Sequence, residues 1–341
     1  MSGSDVRRRV GIKDVAQAAG VSITTVSHAL SGKGRLTDAT RERVRRVAAD
    51  LGYTPHPSAR SLASGRTGMI ATVVSLPGNA PIAFTQIDYY VALMNAATRT
   101  AVGHGYALVV APSTAGPQTW SRLPLDGVIV IDPADGDPTL PMLRGRGAPI
   151  VFVGRDPHGD PSDLVVENDR AAATSSVLDH LVEAGAGRVG VIALRTFETF
   201  SEDAVSAYLT WCAERGAEPC VHTVDADSTA TPTELRAGAT SFLEDADRPD
   251  AVFCLYERQA VELLAAAVEA GVAVPDDLLV ATIAEMGLAA SSQPGLTTLE
   301  LNQDRLGEAA ATLLVDALEG RPVASVGDVP TAITVRASTT R

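Results

Sequence analysis

Residues 12–32 read I-K-D-V-A-Q-A-A-G-V-S-I-T-T-V-S-H-A-L-S-G, and the spacing of their apolar side chains decides how the chain begins to fold. The first apolar residues recur at i, i+3, i+4 and i+7, which is the spacing of one helix face, and Gly20 ends that helix. Ser22 can cap a second helix, whose inward face extends to Leu30. A short helix, a turn containing glycine and a second helix form a helix-turn-helix, whose second helix lies in the major groove of DNA.

A third helix is predicted after Thr37, which can cap it ahead of two acidic residues in its early turns. Its apolar residues repeat the same spacing from Val44 to Leu51, and Gly52 follows as a signal for the helix end. Three such helices can share one small core. We therefore predict an all-α helix-turn-helix headpiece over residues 1–56.

The outward face of the second helix carries candidate base-reading residues. When the apolar residues of this helix pack inward, four side chains project the other way: Ile23, Thr24, Ser27 and His28. Thr24 can hydrogen-bond base edges, Ile23 can touch a thymine methyl group, and His28 can donate to N7 or O6 of guanine. The alternative interpretation of this face is a solvated polar surface.

The first 66 residues are basic, whereas the rest of the chain is acidic. They hold 12 Lys and Arg against 5 Asp and Glu, a net charge of +7, and residues 67–341 carry a net charge of −20. A basic segment gains affinity for DNA by releasing counterions from the phosphates, and an acidic body is repelled by the duplex. The candidates for contacts with the DNA backbone are Ser22, Lys13, Lys33, Arg35 and Arg41, with Arg7, Arg8, Arg9 and Arg45 as further basic residues.

The segment 12–32, followed by T-R-E-R-V at residues 40–44 and L-G-Y-T-P at residues 51–55, resembles the DNA-binding segment of the LacI/GalR family of transcriptional regulators. By this resemblance, the family's base-specifying positions correspond to Ile23, Thr24 and His28. The last of these positions is commonly arginine in the family, so histidine implies an altered operator preference.

The resemblance also implies a hinge helix within residues 57–67. The run A-R-S-L-A at residues 59–63 resembles the hinge helix of the family, and Leu62 matches the leucine that enters the minor groove. An apolar side chain inserted between base steps kinks the duplex. Prolines before the run and glycines after it disfavour a stable isolated helix, so we expect it to order on docking. The hinge candidates are Ala59, Arg60 and Leu62, and a plain flexible linker is the alternative.

From Met69 onward, apolar runs alternate with amphipathic helical stretches such as residues 171–183 and 257–270. This pattern predicts parallel sheets covered on both faces, in two units separated by a cleft that closes on a ligand. The expected strands are residues 70–76, 107–111, 127–131, 149–154, 188–194, 251–256 and 278–283.

Several motifs resemble the periplasmic-binding-protein-like sensor of the same family: L-P-L-D-G-V-I-V at residues 123–130, N-D-R-A-A-A at 168–173, P-D-A-V-F at 249–253, V-P-D-D-L at 274–278 and P-G-L-T-T-L at 294–299. The resemblance implies an α/β domain of two doubly wound parallel-sheet subdomains over residues 68–341. The N-subdomain is expected at about 68–163 and 295–321, and the C-subdomain at about 164–294 and 322–337.

The family's sugar-contacting positions match poorly. Ala204 stands where many relatives carry arginine, Tyr256-Glu257 where they carry Asn-Asp, and Ala284 where they carry aspartate. Alanine cannot form the charge-assisted hydrogen bonds that hold sugar hydroxyls. We therefore expect a small-molecule effector that is less hydroxylated than a sugar or that bears an anionic group.

Aromatic residues are rare in this chain, at 4%, and several lie near these positions. They predict either a pocket that stacks a ring or a filled core of the C-subdomain, and both interpretations stay open. The candidate effector residues are Arg195, Phe197, Phe200, Tyr208, Trp211, Tyr256 and Glu257.

Other functional classes find little support in the sequence. The three cysteines form no C-x-x-C pair and the six histidines are scattered, so we expect no metal site. Without a phosphate-binding loop or a paired catalytic constellation, we expect neither a cofactor nor an enzyme. No run of about eighteen apolar residues and no signal peptide is recognised, which predicts a cytoplasmic protein that does not enter the membrane.

The sequence thus predicts a DNA-binding transcriptional regulator, in the first place a repressor, that binds a pseudo-palindromic operator as a homodimer under the control of a small molecule. The alternative is a DNA-binding regulator whose sensor domain no longer binds a ligand and serves only for dimerisation.

Overall fold

A computed structural model of the chain describes residues 10–31, 34–53, 65–75, 87–110, 116–134, 136–195, 199–226, 230–284 and 287–341. The chain divides into two compact units, Met1–Gly68 and Met69–Arg341. The first contains the three predicted helices, α1 (Ile12–Ala19), α2 (Ile23–Ser31) and α3 (Asp38–Asp50). They share a core of short apolar side chains: Val15, Ala16, Ala19, Val26, Ala29, Val44 and Ala48.

The helix ends of this unit follow from local chemistry. Gly20 ends α1 with a φ of 64°, a left-handed conformation that costs glycine little. The Ser22 hydroxyl accepts a hydrogen bond from the N–H of Thr25 over 3.1 Å, and the Thr37 hydroxyl accepts one from the N–H of Thr40 over 3.3 Å. Both predicted caps are therefore confirmed.

The second unit contains two β-sheets, and the first is entirely parallel. Its strand order is β2-β1-β3-β4-β5. These strands are β1 (Met69–Val74), β2 (Ala107–Val110), β3 (Gly127–Ile131), β4 (Ile150–Val153) and β5 (Leu164–Val166). Helices α4 (Asp88–Gly103), α5 (Gly116–Arg122) and α6 (Thr139–Arg144) connect the first four strands. Separate apolar clusters pack on the sheet, as the predicted doubly wound α/β architecture requires.

The second sheet has the order β11-β10-β9-β8-β6-β7 and is parallel except at β11, which runs antiparallel to β10. Its strands are β6 (Val189–Leu194), β7 (Val221–Val224), β8 (Ala251–Cys254), β9 (Leu279–Ile283), β10 (Thr297–Glu300) and β11 (Ala332–Thr334). Its helices are α7 (Arg170–Glu183), α8 (Thr199–Arg215), α9 (Pro232–Glu244) and α10 (Glu257–Ala270). The fold class expected from the sequence is thus confirmed.

The last helix of the chain, α11 (Gln303–Glu319), returns to the first sheet and packs closely on α4. Gly307 makes this approach possible, because a Cβ there would lie 2.2 Å from the carbonyl oxygen of Leu93. Real Cβ contacts essentially never come that close, so any larger residue at position 307 forces the two helices apart.

The segments that cross between the sheets are joined by Asn168. Its buried side-chain amide donates to the carbonyl of Leu301 over 3.0 Å and to that of Val329 over 2.8 Å. Two strands belong to a different sheet from the one that the expected subdomain limits, 163/164 and 294/295, assign to them. Strand β5 pairs with β4 of the first sheet, and β10 pairs with β9 of the second. At the third expected limit, 321/322, Val326 still bridges to Val166 of β5 in the first sheet. All three crossovers therefore lie a few residues after the expected limits.

Candidate nucleic-acid interface and effector cleft

The outer face of α2 presents an apolar and a hydroxyl side chain to solvent. Ile23 is 44% exposed, and Thr24 beside it is also exposed. Ser27 and His28 are half-buried. An exposed isoleucine next to a hydroxyl matches what a base-reading surface needs, namely contact with a thymine methyl and hydrogen bonding to base edges.

The candidate phosphate contacts around α2 lie at helix starts and turns. Lys13 on α1 and Arg35 before α3 are exposed. Arg41 on α3 donates from Nη2 to the carbonyl of Gly34 over 3.5 Å, so it also supports the turn between α2 and α3. Ser22 caps α2. The remaining candidates, Lys33, Ala59, Arg60 and Leu62, lie outside the described residues and stay predictions.

The effector cleft is expected at the carboxyl ends of the parallel strands, where ligands bind in open α/β sheets. In the first sheet the direction in which successive strands are added reverses between β1 and β3. In the second sheet it reverses between β6 and β8. Arg155 follows β4 of the first sheet. On the side of the second sheet, α7 begins at Arg170 directly after the chain has crossed over, and α8 follows β6. Charged side chains from both halves meet at this place.

Arg155 connects the two halves of the second unit. Its Nη2 donates to Asp203 Oδ2 of α8 over 3.0 Å, and its Nε lies 3.0 Å from Glu167 Oε2. The Arg155 side chain remains 55% exposed, so solvent screens both ion pairs. The two ion pairs therefore contribute little free energy to joining the halves, so that a ligand can displace them.

Arg170 lies deeper in the same cluster, and its side chain is only 12% exposed. Its Nη1 is 3.6 Å from Asp203 Oδ2 but makes no hydrogen bond to the part of the chain that the structure describes. The guanidinium sits 5.3 Å from the centre of the Phe200 ring. On its other side is Gly154, where a Cβ would come within 2.9 Å of Arg170 Nη2. A buried donor of this kind gains free energy when a ligand oxygen accepts from it.

A groove of about 500 Å³ opens beside these two arginines. It runs between the start of α7 and one face of α8. Its lining combines charged residues, hydroxyl groups and alanines: Arg155, Glu167, Asn168, Asp169, Arg170, Ala171, Ala172, Ser175, Asp203, Ser206, Ala207, Thr210, Trp211, Glu214 and Gly327. The groove is large enough for a small metabolite.

Two predicted effector residues, Tyr208 and Trp211, belong to the core of the second sheet instead. Tyr208 has no exposed surface; its hydroxyl donates to the carbonyl of Val189 and accepts from the N–H of Cys220, each over 2.8 Å. Burial raises the pKa of this hydroxyl. Trp211 is buried too, with its Nε1 donating to Asp179 over 2.8 Å. Tyr208 thus fits the second of the two open interpretations, a filled core, whereas Trp211 packs in the core and also lines the groove.

The remaining predicted effector residues differ in exposure and in their contacts. Arg195 is mostly exposed and pairs with Asp225 over 2.8 Å. Glu257 is fully buried, and its Oε1 accepts from the N–H of Ala289 over 2.6 Å, which makes it a structural tie at the start of α10. Tyr256 is buried directly before that helix. Phe200 packs partly on the core beneath Arg170, and Phe197 lies outside the described residues. Among the described candidates, Arg195, Tyr256 and Glu257 thus lie just after the neighbouring parallel strands β6 and β8, whereas Tyr208 lies in the core.

Residues 11–56 match the model of the lacI family of bacterial regulatory proteins, and residues 178–339 match the model of the periplasmic binding protein-like domain. The chain belongs to the LacI family. This LacI-family chain therefore combines a DNA-binding domain with a periplasmic-binding-protein-like domain, as the resemblance implied.

Similar LacI-family proteins are named as transcriptional regulators and repressors. The chain is 26% identical over 342 residues to the regulator MalR of Staphylococcus xylosus, covering 97% of this chain and 98% of that protein. It is 29% identical over 323 residues to the regulator CelR of Thermobifida fusca, covering 92% and 93%. The repressor PurR of Mannheimia succiniciproducens is 26% identical over 313 residues, covering 89% and 91%.

Solved structures of the LacI family share the fold of the chain. The lac repressor dimer bound to operator and the anti-inducer ONPF matches with a TM-score of 0.78 at 20% identity, covering 98% of this chain and all of that one. A CelR–cellobiose complex matches with a TM-score of 0.71 at 24% identity, covering 97% of this chain and all of that one. At these identities the likeness concerns the fold.

Among the described residues, no group of three His, Cys, Asp or Glu is placed to hold a metal ion. None of the described helices combines the length and the apolar character needed to cross a membrane. Cys212 and Cys254 are buried free thiols, whereas Cys220 is half-buried.

The cluster of Arg155, Arg170 and Asp203 was not predicted. Arg170 stands within the motif N-D-R-A-A-A, next to the helix cap Asp169, and so has the sequence signature of a solvated first-turn residue. The feature of the sequence that could have indicated the cluster is the position of Arg170 directly after a crossover between subdomains, where side chains of both halves converge.

Proposed function

We propose that this LacI-family chain is a transcriptional repressor that binds a pseudo-palindromic operator as a homodimer and whose DNA affinity is modulated by a small-molecule effector. The observation that carries the proposal is the exposed pair Ile23 and Thr24 on α2, within residues 11–56, which match the lacI family model. Residues of this kind read bases in the major groove, while the surrounding basic side chains contact phosphates.

Dimerisation follows from the way in which helix-turn-helix proteins gain specificity. One recognition helix reads only a few base pairs, and a two-fold symmetric dimer reads two such half-sites on one face of the duplex. The fold match to a lac repressor dimer on its operator supports this arrangement. The proposed operator is accordingly an inverted repeat.

The effector is proposed to bind at the groove beside Arg155 and Arg170. Each guanidinium can donate charge-assisted hydrogen bonds to ligand oxygens. We therefore expect an effector with an anionic group or with few hydroxyls. The CelR–cellobiose complex shows that a protein of this fold takes up a small ligand, and cellobiose is a useful comparison compound.

The test is a gel shift with the full chain on the DNA upstream of its own gene, with and without a pool of small metabolites. The expected result is a shifted complex that the pool weakens or strengthens. The I23A/T24A double variant should lose the complex, whereas V102A, at an exposed position of α4, should retain it. Binding that ignores every metabolite would indicate a sensor domain without a ligand, and the absence of any complex would refute the proposal.

A further inference from the structure

Gly34 lies in the turn between α2 and α3 and is in contact with a predicted base-reading residue. Its φ is 77°, which places its backbone in the left-handed region. A Cβ added to Gly34 would lie 2.6 Å from Nδ1 and 3.0 Å from Cγ of His28. The imidazole of His28 therefore packs directly on the Cα of this glycine, in space that any other residue would fill.

The turn is held from the other side by α3. The carbonyl of Gly34 accepts a hydrogen bond from Arg41 Nη2 over 3.5 Å. Arg41 stands in the first turn of α3, close to the Thr37 cap. The position of Gly34 is consequently tied to α3, and the position of the His28 ring is tied to Gly34.

We infer that Gly34 is a positioning residue that sets the orientation of the His28 ring and thereby determines base preference. The inference rests on the proposed function. The Nδ1 edge of the ring faces the turn, so the opposite edge, which carries Nε2, lies away from it. A hydrogen bond to a base needs a donor-acceptor distance of about 2.7–3.2 Å and near-linear geometry. A ring displaced by a side chain at position 34 loses that geometry, and with it the discrimination at one base pair.

The same unit offers a matched control for the backbone effect of this change. Gly52 has a φ of 63°, and a Cβ added there meets nothing within 4 Å. Alanine at either position costs about 1–2 kcal/mol because both backbones are left-handed. Only alanine at position 34 also collides with His28. The two variants therefore separate the strain of the turn from displacement of the ring.

The experiment measures binding of the full chain to its selected operator and to every single base-pair substitution of one half-site. H28A identifies the base pair whose preference depends on His28. G34A is expected to reduce the preference at that same base pair by about tenfold, while preferences elsewhere remain. G52A is expected to keep the preference, and G34A in the H28A background is expected to add no further change. Thermal unfolding reports the stability of each variant.

Four results would overturn the inference. If the H28A variant keeps every base preference, His28 does not read a base and the inference has no basis. Equal losses in G34A and G52A would assign the effect to backbone strain, and a G34A effect that persists without His28 would exclude the ring as the mediator. If G34A unfolds, H28A/G34A must recover folding because the colliding ring is absent; failure to recover also overturns the inference. By contrast, absence of operator binding by the unmodified chain refutes the proposed function itself.

Discussion

Arg155 Nη2 lies 3.0 Å from Asp203 Oδ2, and this ion pair joins the segment after β4 of the first sheet to helix α8 beside the second. Arg170 approaches the same carboxylate oxygen to 3.6 Å from the start of α7. One carboxylate is thus shared by two guanidinium groups at the crossover between the halves. An effector that binds beside either arginine, as proposed above, would contact a cluster to which both halves contribute.

The Arg155–Asp203 pair is expected to contribute little to stability on its own. Because both side chains are partly exposed, a double-mutant cycle of R155A and D203N should give a coupling energy of about 0.2–1 kcal/mol in urea unfolding. The coupling should shrink at 1 M salt, where charges are screened within about 3 Å. The control pair is Arg99–Asp304, which is more exposed and should show a smaller coupling. A coupling that is absent at low salt would contradict this account.

Tyr208 is expected to matter for stability and not for the effector. Y208F removes the hydroxyl that donates to Val189 and accepts from Cys220, and both main-chain groups then lose a partner. The free energy of unfolding should fall by about 1–3 kcal/mol. Effector affinity, measured by calorimetry on the folded variant, should stay within twofold of the unmodified chain. A selective loss of effector affinity would return Tyr208 to the binding site.

The loop between β4 and β5 is expected to make stability dependent on acid pH. A hydrogen bond from Arg144 holds the pKa of the Asp163 carboxyl below its usual value. A carboxyl with a lowered folded-state pKa stabilises the fold above its unfolded pKa of about 3.9, and this contribution is lost as the pH falls through the folded pKa. D163N should therefore lower stability at pH 7 and flatten the acid limb of a stability–pH curve. An unchanged acid limb would contradict the assigned pairing.

Phosphate and base contacts are expected to differ in their dependence on salt. K13A removes an exposed cation on α1 and should reduce the slope of log affinity against log salt by about 1, with base preference unchanged. T24A should instead reduce discrimination at one base pair by about 1–3 kcal/mol and leave the slope unchanged. Titrations at several salt concentrations measure both quantities. The assignment fails if K13A alters base preference or T24A alters the slope.

The first unit could be predicted in detail because its determinants are local. The apolar spacing, the caps Ser22 and Thr37 and the terminal Gly20 all act within a few residues of their own helix. The alternation of strands and helices after Met69 is similarly visible in the sequence, and it predicted the α/β class correctly.

The limits of the subdomains depend on contacts between distant segments. Strand β5 is three residues long and has little periodicity of its own, so its pairing with β4 decides its sheet. The crossovers are organised by Asn168, whose partners lie more than 130 residues away. No local pattern contains that information.

The candidate effector site shows the same dependence on tertiary contacts. Tyr208 was a candidate because aromatic residues are rare in the chain and several lie near the expected cleft. It is instead buried against strand β6, where the carbonyl of Val189 accepts a hydrogen bond from its hydroxyl. Arg170 has the sequence of a solvated helix start, and its burial results from Phe200 and Gly154, which other segments place beside it. Burial of this kind follows from packing rather than from residue type.

The central claim is that α2 reads DNA as part of a two-fold symmetric dimer. The most direct test is selection of bound sequences from a random DNA library by the full chain, followed by sequencing. The account predicts enrichment of an inverted repeat whose half-site preference weakens in T24A. Recovery of no enriched sequence, or of one that the I23A/T24A variant binds equally well, would contradict it.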